Sequence, residues 1–578
     1  MTIVPVRRSL SLVIALGVLA TQYELHAQST TPSGSQLPPG ETVERTTPPA
    51  SLDLRLGGVT RAPAGAESMP VTLEALDIEA GFPELEAETR ALTPAAGATL
   101  TLAEVYDLVR RLQEAYFEAG YPLVRAFIPV QDVNQSKARI KVRVVSGFIS
   151  EVDASAVPER VRAPVEAFTR PLVGRKPVTA RELERAVLLA GEVAGTSLRS
   201  TLMAGRAEGE TRLILAAEHR FVQTALSLDN RLSNSLGGKQ VTASMALNGL
   251  LKRGDRMGLT AASSLTDLSL SKDATRRYLG LFFDTLLGSS GLALGVDAAV
   301  SSSMPQGAAS VLELRNDFER WGFTAAYPTV RHRYRSANTR LSLDFVDESQ
   351  GSELLGFPVT LSRDRTRVVR LAHDEQWRAP KGRFEGVGLG MQVEYSRGLD
   401  IFNARMVEDA TPLEPLSRSG ADAVFDKLQL GVWATAASER LGLIASLELR
   451  AQTGFGDPLL RSEQFSAASS TMLSGLPTGA VVGDRALAGR VQIGRPAQVG
   501  TSRITPYLYG AKARLDLEQP TVLEPPQTRL QAYGFGVRGD FNVVGDYAAV
   551  VALEWSRTDA TEREFDDNAV AVRVTFRR

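Results

Sequence analysis

The sequence has no cysteine among its 578 residues and only four histidines. The lack of cysteine excludes disulfides, thiolate metal sites and cysteine nucleophiles. The histidines show none of the paired spacing that metal-binding motifs need, so we expect no metal and no other cofactor. The net charge of −1 gives no reason to expect nucleic acid as a partner. Beyond the N-terminus no apolar run reaches the roughly 20 residues of a membrane-spanning helix, so any integral membrane segment must use strands.

The first 27 residues have the pattern of a secretory signal peptide. A basic start at Arg7 and Arg8 precedes the apolar run LSLVIALGVLA, and cleavage fits after Ala20 or after Ala27. The alternative, a short membrane anchor, is disfavoured because the run is too short. Residues 28–68 are rich in Pro, Ser, Thr and Gly, which predicts a flexible tether rather than a helix that would plug a pore.

Two segments with a similar order of elements follow, at 69–148 and 149–218. In the first, apolar residues recur at helical spacing after Thr101, which forms a capping box with Glu104. In the second, a helix is expected at 179–195, before two strands. The sequence therefore predicts two small α+β domains. Four glutamates are expected on solvated helix faces: Glu104, Glu118, Glu182 and Glu184.

From residue 219 to the C-terminus, apolar residues alternate with small or polar ones. Val387, Leu389 and Met391 share one parity, for example, and glycines occupy the other. Successive side chains of a strand point to opposite faces, so each such segment predicts a strand with one apolar face. We count sixteen segments, an even number, as single-chain bacterial barrels require. A soluble sandwich would alternate in the same way, but together with the signal peptide the pattern predicts a 16-stranded antiparallel membrane β-barrel at 219–578, preceded by the two α+β domains.

Charged residues on the less apolar face of these strands indicate a water-filled lumen. A charge on the lipid face costs about 2–4 kcal/mol near the bilayer centre, so these side chains should point inward. They are Glu448, Arg450, Arg538, Asp540, Glu554 and Arg573. The short connections at 327–333 and 437–441 are expected on the periplasmic side, and the long ones at 402–422 and 456–482 outside the cell.

Several motifs recur in the order found in one known family. The first domain contains YFEAGYPLVRAFIPVQDV followed by IKVRVVSGFI, and the second contains ERAVLLAGEVAGTSLRSTLMAGRAEGETRLIL. These stretches resemble the two POTRA (polypeptide-transport-associated) modules of the two-partner secretion transporters, the hemolysin secretion/activation family. The second departs from the family pattern at Ala194, where the family has proline. The matching positions are Tyr116, Gly120, Tyr121, Pro129, Gln131, Gly147, Leu188, Leu189, Gly195, Gly205 and Gly209.

The resemblance also implies a long loop after the eleventh strand that folds back into the lumen. In the family an arginine at the loop tip pairs with an aspartate on the barrel wall. Here the tip reads LSGL (473–476) and the facing strand reads PYLYGAKA (506–513), so both charges are missing. Since the loss of one partner alone would leave a confined charge unpaired, the double loss suggests that another contact holds the loop. The residues expected at this contact are Ser474, Gly475, Gly483, Asp484 and Arg485 on the loop, with Tyr509 and Ala511 on the wall.

POTRA modules expose a strand edge beside a helix, to which an extended client can add a strand. In the first module this groove would lie between the helix 102–118 and a strand at 121–128. The candidate client contacts are Tyr116, Tyr121, Val124 and Phe127, with core packing as the alternative for each.

The resemblance implies an outer-membrane translocator with periplasmic POTRA modules and a monomeric barrel. Its partners would be outer-membrane lipid and a secreted filamentous or β-helical client that crosses unfolded through the barrel. Two alternatives share the architecture: a factor that inserts other barrels into the membrane, and a solute porin. An enzyme is disfavoured because no nucleophile–base or metal spacing is visible.

Overall fold

The computed structural model describes residues 51–52, 62–271, 273–306, 313–354, 357–380, 385–522, 524–561 and 567–578. The predicted signal peptide and most of the tether lie outside these residues. The predicted fold class is confirmed, because a closed antiparallel barrel of sixteen strands follows two α+β modules. None of the described helices is both long and apolar enough to cross a membrane.

The first module packs helices against one face of a four-stranded sheet. Its sheet order is Thr99–Thr101, Pro70–Glu79, Ala138–Val145 and Arg125–Phe127, and its helices span Glu86–Leu92 and Leu102–Glu118. The long helix begins with the predicted capping box, in which the Glu104 N–H donates to the Thr101 hydroxyl and the Thr101 N–H donates to the Glu104 carboxylate. The apolar stripe of this helix is buried against the sheet, where it forms most of the module's core.

The edge strand of this module is shorter than the sequence pattern predicts. The expected strand at 121–128 is reduced to Arg125–Phe127. Its first residues instead form a turn, in which the Val124 N–H donates to the Tyr121 carbonyl at 3.3 Å. A local hydrogen bond thus replaces ladder pairing with Ala138–Val145.

The second module repeats this architecture. Its helices span Glu159–Thr169 and Ala180–Gly191, and its sheet order is Ser51–Leu52, Thr196–Ala204, Glu210–His219 and Phe148–Ala156. Two tether residues, Ser51 and Leu52, therefore run parallel to the edge strand and pair with Arg199 and Ser200. This differs from the predicted unstructured tether. An edge strand offers unpaired backbone groups, so a segment without strand periodicity can join it through its backbone alone.

The barrel strands follow one another around the wall in chain order, and the last pairs with the first to close it. They are Val222–Asp229, Gln240–Asn248, Arg256–Ser264, Arg276–Leu287, Leu292–Ser303, Arg315–His332, Arg335–Leu354, Phe357–Arg378, Val387–Gly398, Asp426–Ser438, Leu443–Thr453, Arg485–Gly494 with its continuation Ala497–Val499, Ser502–Asp516, Gln527–Val544, Tyr547–Ala560 and Asp567–Arg577. The two parities predicted from the sequence become the two faces of this wall. Leu389, Phe535 and other large apolar side chains are exposed on the outside, whereas alanines such as Ala511 are buried inside.

Candidate functional site: the barrel lumen and its inward loop

The second module sits on the short turns at one end of the barrel. Arg160 donates to the Gly249 carbonyl at 3.1 Å, Lys252 lies 2.8 Å from Glu159, and Arg331 lies 2.6 Å from Glu192. The hydrogen bond from Lys252 lowers the pKa of the exposed Glu159 carboxyl. These contacts identify the short-turn end as the end that carries the modules. The long connections, including the predicted ones at 402–422 and 456–482, leave from the opposite end.

Glu184 is the centre of this junction and not part of a solvated helix face, so the prediction for this residue is wrong. Its side chain is only 2% exposed, because the hairpin between the sixth and seventh barrel strands covers it. Arg333 of that hairpin forms an ion pair with the Glu184 carboxylate, and the Nε2 atom of His332 lies 3.0 Å from it. The helical pattern could not reveal this burial, because Arg333, which covers Glu184, lies 149 residues away along the chain.

Replacing Glu184 by glutamine is expected to loosen the second module. The amide can still accept a hydrogen bond from the Arg333 guanidinium but loses the ion pair. Because Arg333 is partly exposed, we expect a loss of about 1–2 kcal/mol of docking energy. Because the chain has no cysteine, spin labels can be attached through cysteines placed at Arg170 and Glu439. Their distance distribution should broaden in Glu184→Gln and stay narrow in the control Glu166→Gln. Equal widths in parent and Glu184→Gln would refute the assignment.

The loop between the eleventh and twelfth barrel strands folds into the lumen. Its residues Ala467, Met472, Leu473 and Leu476 are buried in one apolar cluster with the inner face of strands twelve to fourteen. The wall side of that cluster consists largely of small residues, Ala486, Ala488, Ala511, Ala513 and Ala532. Their short side chains let the loop backbone approach the wall closely, so the loop is packed against the barrel and does not hang free.

The loop tip is bound by an ion pair that belongs entirely to the wall. Arg490 and Glu554 lie on strands twelve and fifteen, and their closest atoms are 2.7 Å apart. The Ser474 hydroxyl donates to the Glu554 carboxylate and accepts from Arg490 at 3.0 Å. Tyr507 donates to the other carboxylate oxygen at 2.7 Å, and the Arg490 guanidinium lies 3.6 Å above the centre of the Tyr509 ring. We call Ser474, Arg490, Tyr507, Tyr509 and Glu554 the tip latch.

Gly475, next to the latch, occupies a position where a side chain would collide with Ser556 of the wall unless one of them moved. A Cβ atom there would lie 2.0 Å from the Ser556 hydroxyl on the wall. Replacing Gly475 by valine is therefore expected to push the tip off the wall, and to raise the conductance of the purified protein in planar bilayers. Gly456→Val is the matched control, because a Cβ at this loop glycine meets nothing within 4 Å. Since Gly456 has a positive φ, which strains a β-branched residue, any rise in the control would reflect strain alone. If the two variants conduct equally, close packing at Gly475 does not hold the tip.

The base of the loop carries a second anchor. Glu463 is buried between Arg370 on strand eight, at 2.7 Å, and Lys427 on strand ten. Arg370 also binds Asp344, which in turn binds Arg320 at 2.9 Å. The loop carboxylate thus completes a chain of alternating charges that runs across the wall.

A third anchor lies where the loop rejoins the barrel. The carboxylate of Asp484 accepts hydrogen bonds from the Leu459 and Glu518 N–H groups at 3.1 and 2.7 Å and forms an ion pair with Arg418. Arg418 belongs to the long connection between strands nine and ten, so Asp484 ties that connection to the loop. The predicted neighbours Gly483 and Arg485 flank it, and Arg485 points outward to Asp516 at 3.3 Å.

Two polar cavities flank the loop inside the barrel. One, of about 880 Å³, is lined by Glu463, Arg370, Asp344 and Arg320 together with Asp284 and Asp297. The other, of about 620 Å³, adjoins the tip latch. Five of the six charges predicted to point inward line this second cavity: Glu448, Arg450, Arg538, Glu554 and Arg573. The sixth, Asp540, pairs with Arg538 at 3.7 Å. The lumen is therefore wet on both sides of the loop.

The candidate client contacts of the first module differ in exposure. Tyr116 is fully buried, with its ring edge-to-face against Phe82 and its hydroxyl accepting from the Phe82 N–H at 3.0 Å. Val124 is buried in the same core. Tyr121 and Phe127 are only half-buried, so they are the two that a client could reach.

Sequence reasoning placed the loop tip and its facing strand but not the groups that join them. Ser474 lies against Tyr509, with their hydroxyls 3.4 Å apart, and Ala511 packs in the same cluster. Glu554 was predicted only as an inward charge, and the part played by Arg490 was not anticipated. The second anchor, Glu463 with Arg370 and Lys427, was not anticipated. The inward parity of Arg370 and Lys427 on their strands was an available signal.

Comparisons with known proteins agree with this architecture. A model of the family described as haemolysin secretion/activation protein ShlB/FhaC/HecB matches residues 209–516, and a model of the ShlB-type POTRA domain matches residues 80–147. Among solved structures, CdiB from Escherichia coli superposes over all of both chains with a TM-score of 0.66 at 15% identity. CdiB from Acinetobacter baumannii does so with a TM-score of 0.59 at 12% identity. At such identities these two structures show the shared fold alone.

Curated relatives match over a shorter stretch. The heme/hemopexin transporter protein HuxB of Haemophilus influenzae (strain 86-028NP) is 22% identical over 262 residues, which cover 44% of this chain and 44% of that protein. HuxB of strain ATCC 51907 is 21% identical over 252 residues. The matched region thus spans less than half the length of these relatives.

Proposed function

Because the chain belongs to the haemolysin secretion/activation family of ShlB, FhaC and HecB, we propose that it is an outer-membrane translocator of two-partner (type V) secretion. It would capture an unfolded partner protein in the periplasm and pass it out through the barrel. In this placement the two modules lie in the periplasm, and the long connections face outward. We also propose a monomeric barrel, whose wall closes within one chain.

One observation carries the proposal: the lumen is filled by a loop whose tip is held mainly by side-chain contacts. Its backbone adds the Leu476 carbonyl, which accepts from Arg231 at 3.2 Å, and the Thr478 N–H, which donates to the Arg231 carbonyl at 3.0 Å. The latch consists of hydrogen bonds and one ion pair, each of which water can replace in a wet lumen. The cavities on both sides of the loop are polar, as a path for an extended polypeptide backbone requires. A passing chain would displace the tip and exchange its contacts for its own.

Client capture would begin at the first module. Its edge strand, Arg125–Phe127, borders the long helix, and the Ala126 N–H faces the Gln113 side-chain oxygen at 3.4 Å. An extended client could replace this long contact with backbone hydrogen bonds along the edge. Tyr121 and Phe127 supply half-exposed apolar surface beside it. We propose a filamentous or β-helical client, because such a chain folds outside the cell from the strands it has just exposed.

The test is secretion in a Gram-negative host. Cells would express this chain with a candidate client, a large exported protein from the same genome, and the culture medium would be assayed for that client. We expect secretion from cells with the parent chain and none from cells without it. Intact secretion after deletion of the chain would overturn the proposal.

Two further outcomes would point to the alternative functions. Crosslinks from Phe127 to nascent barrel proteins, in place of the exported client, would favour a role in barrel insertion. A steady solute conductance in planar bilayers, with no client exported, would favour a porin.

A further inference from the structure

The outer face of the barrel carries a groove at the end away from the modules. The groove has a volume of about 750 Å³ and crosses strands eleven to fifteen. The opposite ends of these strands meet in the turns near Gly500 and Asp546, and Asp546 lies 3.9 Å from Arg220, beside the second module. With the modules in the periplasm, the groove lies at the level of the outer leaflet.

The lower part of the groove is an apolar trough. Gly489 and Gly510 occupy outward positions on neighbouring strands, beside Leu449 and Leu487. A Cβ atom added to Gly510 would meet nothing within 4 Å, so the surface there is open. Below it, towards the membrane centre, the outer face is fully apolar, with Leu508, Phe535 and Trp555 at matching levels.

The upper part of the groove is basic. Lys512, Arg514 and Arg529 point outward and are exposed, since their neighbours Ala511, Ala513 and Leu530 are buried on the inner side. Arg514 and Arg529 face each other directly across two strands. Like charges in such facing positions repel, so the pair is destabilising unless an anion lies between them.

The carboxylates near these cations already form ion pairs. Asp516 binds both Arg514, at 3.2 Å, and Arg485, at 3.3 Å, and Asp559 binds Arg557 at 3.1 Å. Among the residues that the structure describes, the Lys512 and Arg529 side chains have no carboxylate partner. Counted over the described residues alone, the rim of the groove therefore holds five cations against two anions.

A similar row of arginines on the eighth and ninth strands is neutralised. Arg365 and Arg367 bind Asp347 at 3.2 and 2.7 Å, and they donate to carbonyls of the connection at 402–403. Arg397 pairs with Asp426 at 3.4 Å. The excess charge thus belongs to the groove and is not a general property of this rim.

We propose that the groove binds a phosphorylated glycolipid of the lipid A type from the outer leaflet. Its phosphate would lie among Lys512, Arg514 and Arg529, where two guanidinium groups and an ammonium can donate charge-assisted hydrogen bonds. One acyl chain would lie in the trough over Gly489 and Gly510. The inference rests on the proposed placement in the outer membrane, but it does not require that the chain secretes a client.

The test is native mass spectrometry of the purified full-length protein in mild detergent, with bis-phosphorylated hexa-acyl lipid A as the probe. The parent should bind one lipid, and the triple variant Lys512→Gln, Arg514→Gln, Arg529→Gln should bind at least tenfold more weakly. Gly510→Leu, which fills the trough, should also weaken binding. Arg397→Gln is the matched control at the same rim and should leave it unchanged. Retained heat-modifiable migration on gels shows that each variant is folded.

Three results would overturn the inference: equal binding by the parent and the triple variant, equal binding of dephosphorylated lipid A, or competition by inorganic phosphate that Gly510→Leu leaves intact. The last would mean a bare anion site. Because the assay needs no client, failed secretion with intact lipid binding would refute only the translocator function. Intact secretion without lipid binding would refute only the lipid site.

Discussion

Replacing Arg490 by alanine is expected to release the inward loop from the barrel wall. The substitution leaves the Glu554 carboxylate without its cation in a site where both side chains are less than a tenth exposed. Removing one partner of such a buried pair costs about 3–5 kcal/mol, which favours any state in which water reaches the carboxylate. The undocked loop is such a state, so its population should rise by a factor of about 100 or more.

A single cysteine at Met472 reports this release. Met472 is buried beside the latch, and the chain has no other cysteine to react. A membrane-impermeant maleimide should label Met472→Cys slowly in the parent background. With Arg490→Ala labelling should be about 100-fold faster, because the rate follows the population of the undocked loop. Arg538→Ala is the matched control, since it removes another lumen arginine, one whose ion pair is with Asp540.

The double variant Arg490→Leu, Glu554→Leu separates the ion pair from the rest of the latch. Removing both charges relieves the unpaired carboxylate, so labelling should return at least halfway to the parent rate. If Arg490→Ala labels no faster than the parent, the latch does not hold the tip. If the double variant labels as fast as Arg490→Ala, the ion pair is not the reason.

Replacing Glu463 by glutamine is expected to destabilise the whole barrel rather than the loop alone. Glu463 neutralises the buried Lys427, and it shares Arg370 with Asp344. Without its charge, Lys427 keeps no ion pair among the residues that the structure describes, and the loss should again be about 3–5 kcal/mol. We expect the midpoint of heat-induced unfolding, followed by the gel shift of the barrel, to fall by about 5–10 °C.

The companion variant is Glu463→Gln with Lys427→Met. It removes the unpaired ammonium group and keeps most of the lysine side-chain volume. At least half of the drop in the unfolding midpoint should therefore be recovered. Glu408→Gln, on an exposed loop with no ion pair among those that the structure describes, should not change it. A midpoint that stays at the parent value in Glu463→Gln would show that this anchor contributes nothing to the barrel.

The strands could be predicted because their evidence is local. A period of two is visible within any one segment, as in Val387 to Met391, and it assigns each residue to the lipid or the lumen. The same parity marked Glu554 and Arg538 as inward. The capping box of Thr101 and Glu104 was likewise contained in four residues.

The contacts across the lumen could not be predicted in this way. Parity gives the face of a residue but not its height, which depends on the stagger of the strands around the barrel. Ser474 and Glu554 are 80 positions apart, and Glu463 and Arg370 are 93 apart, so neither pairing has a local signature. The sequence shows that the family's loop and wall charges are missing. That an ion pair between two wall residues takes their place could be seen only in the folded structure.

Burial also separated residues that look alike in sequence. Tyr116 and Tyr121 are both aromatic and stand beside the same turn, yet only Tyr116 follows the buried stripe of its helix. Its hydroxyl is taken up by the Phe82 N–H, which leaves Tyr121 as the more accessible of the two.

The central claim is that an exported chain passes through the loop-filled lumen, and site-specific photo-crosslinking tests it most directly. A photoreactive residue at Thr324 would face the larger lumen cavity, and one at the adjacent Phe323 would face the membrane. With a client stalled during export, we predict crosslinks to the client from position 324 and none from position 323. Efficient secretion without any crosslink from position 324, or with equal crosslinks from both positions, would contradict the account.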